Sequence, residues 1–221
     1  MEFDPEAIRG LILRLPVVLF ALTVHEFMHG WVAHKCGDDT ALHAGRLTLN
    51  PLAHLDPIGT ICLMVGPIGW AKPVPVNPAN FAYETRRRDE ILVSGAGVAA
   101  NLAMGVTAAV AMRFLAGPLA GMDRLGLALW QVLIFFSMIN LFLGLFNLLP
   151  FPPLDGSHIL KNLLPLNAAI RYASLARYGP FVLLAFVVGN MFLADAIGFS
   201  LLGYPALKAL ELLSGLDLFP A

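Results

Sequence analysis

Apolar runs separated by short polar stretches divide the chain. The first extends from Leu11 to Ala33, broken by Arg14 near its start and by His25-Glu26-Phe27-Met28-His29 near its end. It passes straight into ionisable residues with no small-residue cleavage site, which argues for a retained span over a secretory leader. A second run, Ile91 to Leu115, opens on Ser94-Gly95-Ala96-Gly97, small residues that let another helix approach closely. The third, Leu125 to Leu149, holds no charged residue and stops at Pro150-Phe151-Pro152-Pro153, where a helix must end. A fourth starts near Tyr178 and continues to Ala194. Beyond Asp195, Gly198, Gly203 and Pro205, a tail from Ala206 to Leu213 with Lys208 and Glu211 reads as an interfacial helix or a fifth span. The long runs reach the roughly 17–25 residues that carry a helix across a bilayer.

The stretch from His34 to Glu90 breaks this rhythm. It is polar, ends on Arg86-Arg87-Arg88, and contains Lys72-Pro73-Val74-Pro75-Val76-Asn77-Pro78. Inside it, Ile58 to Trp70 is apolar but too short to cross and is interrupted by Gly59, Gly66, Pro67 and Gly69, which predicts a re-entrant or strand-like element.

Composition sharpens the picture. Of 221 residues, 58% are hydrophobic and 13% charged, with a mean hydropathy of +0.75, so polar surface is too scarce to cover a water-soluble globule. The expected fold is an all-α polytopic membrane protein: a three-helix core over about 11–160, further C-terminal helices over about 178–213, and a small re-entrant or β-like element in the first loop, all in one membrane-embedded domain over 1–221. Fourteen basic and 15 acidic residues nearly cancel, which excludes the broad basic field of a nucleic-acid binder. Cys36 and Cys62 form no Cys-x-x-Cys pair and read as packing residues.

Basic residues also set an orientation. Lys35, Arg46, Lys72 and Arg86 to Arg88 lie between the first two spans, whereas the next connection offers only Arg124, so the first loop is expected at the cytoplasmic face. The carboxyl ends of spans one and three then share that face.

The candidate chemistry lies at those ends. His25 and His29 are four residues apart on one helical face, a spacing that lets both imidazoles reach one Zn²⁺. Glu26 follows the first of them and would sit beside the ion, placed to take a proton from water. Catalytic zinc sites usually have three protein ligands. Asp155, in Asn147-Leu148-Leu149-Pro150-Phe151-Pro152-Pro153-Leu154-Asp155-Gly156, lies just beyond span three and is the candidate third; taken alone it would also suit the cap of an interfacial helix over Ser157 to Leu164.

His25-Glu26-x-x-His29 in an early span, Gly97-x-x-x-Asn101 in the next, and Asn147-x-x-Pro150-x-Pro152-x-Leu154-Asp155-Gly156 after a third resemble the site-2 protease family of intramembrane zinc metalloproteases. The loop words Gly45-Arg-Leu-Thr-Leu-Asn-Pro-Leu52 and Gly69-Trp-Ala-Lys-Pro-Val-Pro-Val-Asn77-Pro78 resemble its short subgroup, without PDZ or CBS modules. Ser157 stands where many members have a second glycine. The resemblance implies one Zn²⁺ per chain held by His25, His29 and Asp155, Glu26 as general base, and Asn147 in contact with the substrate or a developing oxyanion. An interhelical hydrogen bond is the alternative for Asn147, and the expected role of Asn140 and Asn101.

The resulting expectation is a zinc-dependent intramembrane endopeptidase that cuts in or near transmembrane segments of single-pass or small membrane proteins, in the cell membrane if the source is prokaryotic. A homo-oligomer stays open. A metal-binding or metal-transporting membrane protein and an inactive client-binding homologue are the alternatives. A substrate helix must unwind before its carbonyls can be attacked, and the proline-spaced loop from Val65 to Val76 suits an edge strand that would pair with it. His54 is expected to bond Asp56, although a gating or fourth-ligand role is the alternative. His34, His43 and His158 read as interfacial or supporting residues, and Arg86 to Arg88 as a topology anchor beside anionic headgroups.

Overall fold

A computed structural model describes residues 5–65, 70–197, 200–201 and 203–217. Among them the α-helices are α1 (Pro5–Lys35), α2 (Thr40–His43), α3 (Pro57–Val65), α4 (Arg86–Ala120), α5 (Asp123–Asn147), α6 (Asp155–Leu163), α7 (Leu166–Ser174), α8 (Gly179–Ile197) and α9 (Gly203–Ser214). Four stretches, 12–35, 86–119, 123–147 and 166–196, are long and apolar enough to cross a membrane. The protein is an all-α, multi-pass membrane protein.

The core is built on α4. Its Gly105 lets α5 come so near that a Cβ there would lie 2.8 Å from the Leu141 side chain, and the Ser137 hydroxyl donates to the Gly105 carbonyl at 2.8 Å. Such close approach of small residues, tied by a hydroxyl, is how helices hold together in lipid. Helix α1 packs against both α4 and α5, and Arg14, which interrupts its apolar run, lies with its guanidinium 5.5 Å from the Phe135 ring centre.

Of the two readings of the C-terminal tail, the fifth span does not hold. Helix α9 has 12 residues, about 18 Å at 1.5 Å per residue, too short to cross. It buries Ala206 and Leu210 against Ala109, Met112 and Leu141 of the α4–α5 pair, and the Arg113 guanidinium donates to the Leu212 carbonyl at 2.6 Å, closing its last turn. Helix α8 is peripheral: Phe181, Leu184 and Phe192 are exposed, as lipid-facing residues are.

The apolar segment in the first loop also differs from expectation in part. Its first portion is helical, α3, and among the described residues β character is limited to an isolated antiparallel bridge between Leu55 and Ala71; residues 66–69 lie outside the described residues. Asp56 accepts the Gly59 N–H at 2.8 Å and so caps α3.

Residues 72–77 run as an extended strap without strand pairing. Prolines at 73 and 75 leave alternate residues to face inward: Val74 is buried and Val76 packs on the Ala33, Phe81 and Val93 cluster. Both ends are clamped. The Lys72 N–H donates to the His54 carbonyl at 2.8 Å, and Arg46 donates to the Lys72 carbonyl at 2.7 Å. At the far end, the fully buried Asp38 accepts the Asn77 N–H and the Asn80 side-chain amide, each at 2.7 Å.

Candidate metal centre

On α1, the 3.6-residue turn puts His25 and His29 on one face, with ring centres 4.6 Å apart and rings nearly perpendicular. Each imidazole is tied through Nδ1: His29 to the Val93 carbonyl at 2.7 Å, His25 to the Asn101 side-chain oxygen at 2.5 Å. Both acceptors are on α4, two turns apart, with Gly97 midway between them. Holding Nδ1–H in this way fixes the tautomer and turns the unprotonated Nε2 toward the site.

Asp155 arrives from the other side. The prolines end α5 at Asn147, Leu154 is extended, and Asp155 is the first residue of α6. Gly156 packs so tightly against the end of α5 that a Cβ would fall 2.2 Å from the Leu148 carbonyl oxygen. The Ser157 hydroxyl, where a second glycine was the family pattern, donates to the Leu154 carbonyl at 2.7 Å and tightens the first turn. Asp155 is therefore the first residue of a short helix whose cap position is Leu154, and it faces the two histidines.

The Asp155 carboxylate oxygen Oδ2 lies 3.1 Å from His25 Nε2 and 3.4 Å from His29 Nε2, and the two Nε2 atoms are 3.0 Å apart. No other hydrogen-bond partner satisfies this buried oxygen. Three electron-rich atoms thus face one another, an arrangement that needs a cation among them. A tetrahedral ion with bonds of about 2.0–2.1 Å separates its ligand atoms by roughly 3.3 Å, so the spacing fits Zn²⁺, and two imidazoles with a carboxylate are a donor set that zinc favours. Among the described residues this is the group of His, Cys, Asp and Glu close enough to hold a metal.

Glu26 stands apart from that triangle. Its Oε2 accepts the Val74 N–H of the strap at 2.8 Å, and its carboxylate lines a cavity of about 340 Å³ together with the three candidate ligands. Asn147 lines the same cavity, but its amide donates to the Leu143 carbonyl one turn back, at 3.0 Å, rather than to another helix. Asn101 and Asn140 make the expected interhelical bond at 2.8 Å.

Other expectations need correction. His54 is buried and bonds through Nε2 to the Thr48 carbonyl at 2.8 Å, not to Asp56, which caps α3; it is not among the residues lining the cavity. His34 pairs with Asp39 at 2.5 Å. Within the arginine run, read as a topology anchor, Arg87 donates to the Leu164 carbonyl and closes α6. His158, read as an interfacial or supporting residue, lines the cavity from α6, and Glu90, which had no sequence signal, is also on its wall and fixes α6 to α4 through Lys161 and Asn162, each at 2.9 Å.

Residues 115–189, which carry Asn147 and Asp155, match the model of peptidase family M50. The chain is similar to the "Putative zinc metalloprotease YwhC" of Bacillus subtilis, with 41% identity over 182 residues, 77% of this chain and 78% of that protein. It is also similar to the "Putative zinc metalloprotease Rip2" of Mycobacterium tuberculosis and of Mycolicibacterium smegmatis, 33% identical over 142 and 141 residues, 62% of this chain and 52% of each of those proteins. The chain thus spans about half the length of these mycobacterial relatives. No solved structure gives a significant match.

Proposed function

The chain belongs to peptidase family M50, the site-2 protease family of zinc metalloproteases, and on that premise we propose that it hydrolyses peptide bonds in or near the transmembrane segments of other membrane proteins. The observation that carries the proposal is the meeting of His25, His29 and Asp155, from helices distant in sequence, beside a carboxylate that is not part of their triangle.

In this reading His25, His29 and Asp155 hold the ion, which when bound supplies Lewis acidity to water and to a peptide carbonyl. Glu26, oriented by the Val74 N–H, takes a proton from the attacking water and returns it to the departing amine nitrogen. Asn147, which lines the same cavity, contacts the substrate backbone or the negative charge that develops on its carbonyl oxygen. The strap beside them is a surface on which an unwound substrate segment can pair. The basic loop between α1 and α4 orients the site toward the cytoplasm, and single-pass or small membrane proteins are the substrates that reach a site within the bilayer. A transport function has less support, because among the described residues no second metal-binding group marks a path along the helices.

The test compares wild-type protein with Glu26→Gln, reconstituted in vesicles with single-pass membrane proteins. The variant should retain zinc, abolish cleavage and trap uncut substrate for identification by mass spectrometry. Continued cleavage would remove Glu26 as the base, and zinc flux across the vesicle in place of cleavage would favour a transporter.

A further inference from the structure

We infer that Asn101 and Asn140 are positioning residues for the metal, a buried amide relay of fixed polarity that commits His25 to present Nε2 to the ion. This inference rests on reading His25, His29 and Asp155 as the zinc group.

The polarity follows from an end that cannot reverse. A backbone carbonyl only accepts, so the Asn140 side chain turns its NH₂ to the Phe136 carbonyl, 2.8 Å away. Its oxygen then faces Asn101, which must meet it with NH₂ at 2.8 Å. The Ala21 carbonyl, 3.4 Å from the same Asn101 nitrogen, requires the same orientation. What remains toward His25 is the Asn101 oxygen, and Nδ1 must donate to it at 2.5 Å. Each link dictates the next, and the imidazole cannot exchange tautomers without leaving a buried amide unpaired.

Both amides have no solvent exposure. Two such groups in a membrane helix pair cost free energy unless bonded, and here the two side chains join α5 to α4 and α4 to α1 in one route that ends on a ligand imidazole. His29 is held differently, by the Val93 main chain, so side-chain substitution can release one imidazole and leave the other in place.

The experiment measures zinc affinity by chelator competition on the full-length protein in detergent, with apoprotein melting temperature and the Co²⁺ absorption spectrum as companion readouts. Asn101→Ala should weaken zinc about 10–100-fold, as loss of a ligand's supporting bond does, and alter the Co²⁺ spectrum. Asn140→Ala should weaken it less, and the double variant should be no worse than Asn101→Ala, because both act through a single route. Asn101→Asp, which keeps an acceptor for Nδ1–H, should hold zinc more tightly than Asn101→Ala. His29→Ala separates the two levels. If it keeps wild-type zinc affinity, the ligand assignment falls; if it loses zinc while the asparagine variants bind like wild type, the relay falls and the ligand set stands. Multiplicative losses in the double variant, or a lowered melting temperature with unchanged zinc affinity, would also overturn the relay. Should Asn101→Ala not fold, Asn140→Ala must still weaken zinc and Asn101→Asp must still bind it for the inference to survive.

Discussion

Gly97 of α4 lies against His29 of α1 so closely that a Cβ on it would be 2.6 Å from the imidazole Nε2, and 2.7 Å from Cε1 of His25. The rings cannot retreat, because both are anchored through Nδ1. Gly97→Ala should therefore deplete zinc from purified protein, read as metal per chain by mass spectrometry. Gly95→Ala, where a Cβ meets nothing within 4 Å, should retain it. Equal zinc in both variants would contradict this packing.

The bond from the Val74 N–H to Glu26 changes what a proline substitution in the strap reports. Val74→Pro removes the donor that orients the proposed base, so cleavage should fall about tenfold, the equivalent of one hydrogen bond of roughly 1.4 kcal/mol, even on a short unstructured peptide. Val76→Pro leaves that bond in place. If substrates pair with the strap, Val76→Pro should slow cleavage of an intact membrane substrate with zinc content unchanged; full activity would refute pairing there.

Asp38 should make the strap acid-sensitive. Burial would raise its pKa, but the hydroxyl and N–H of Thr40, the N–H of Asn77 and the amide of Asn80 together hold the carboxyl below its ordinary value. A depressed folded-state pKa contributes stability that is present above the unfolded value of about 3.9 and is lost as pH falls through the folded value. Hydrogen exchange at Asn77 and Asn80 should accelerate in that acidic window in wild type. In Asp38→Ala it should be fast already at neutral pH, and identical exchange in the two proteins would dissociate Asp38 from the strap.

Asn147 lines the cavity without belonging to the metal group. Asn147→Ala should leave zinc content intact and lower kcat by about 10²–10³, the scale for losing a donor to a developing oxyanion. A rise in KM with kcat unchanged would instead assign it to ground-state binding.

The parts of this architecture that follow a local period are readable from the residues alone. The four long apolar runs, the shared face of His25 and His29, and the stop at Pro150 to Pro153 depend on spacing within one segment. Asp155 could be placed by topology because an even number of crossings separates its membrane face from that of His29. The features that eluded the pattern are long-range polar bonds, whose partners share no period: Val74 with Glu26, Asp38 with Asn77 and Asn80, Glu90 with Lys161 and Asn162. His54 shows the opposite failure. Its neighbour Asp56 is the obvious partner by proximity, but Asp56 accepts the Gly59 N–H at the start of α3 and His54 bonds the Thr48 carbonyl instead.

Asp155 reaches the two histidines as the opening residue of a separate short helix, with residues 30–154 looping out between the donors. An ion that bridges such remote points acts as a staple, and the entropy it removes from the unstapled chain grows with the length of the loop it closes. Stripping zinc from this protein with a chelator should accordingly do more than silence it: α6 loses one of its moorings to α1, and resistance to heat and proteases around residues 148–163 becomes a measure of metal occupancy.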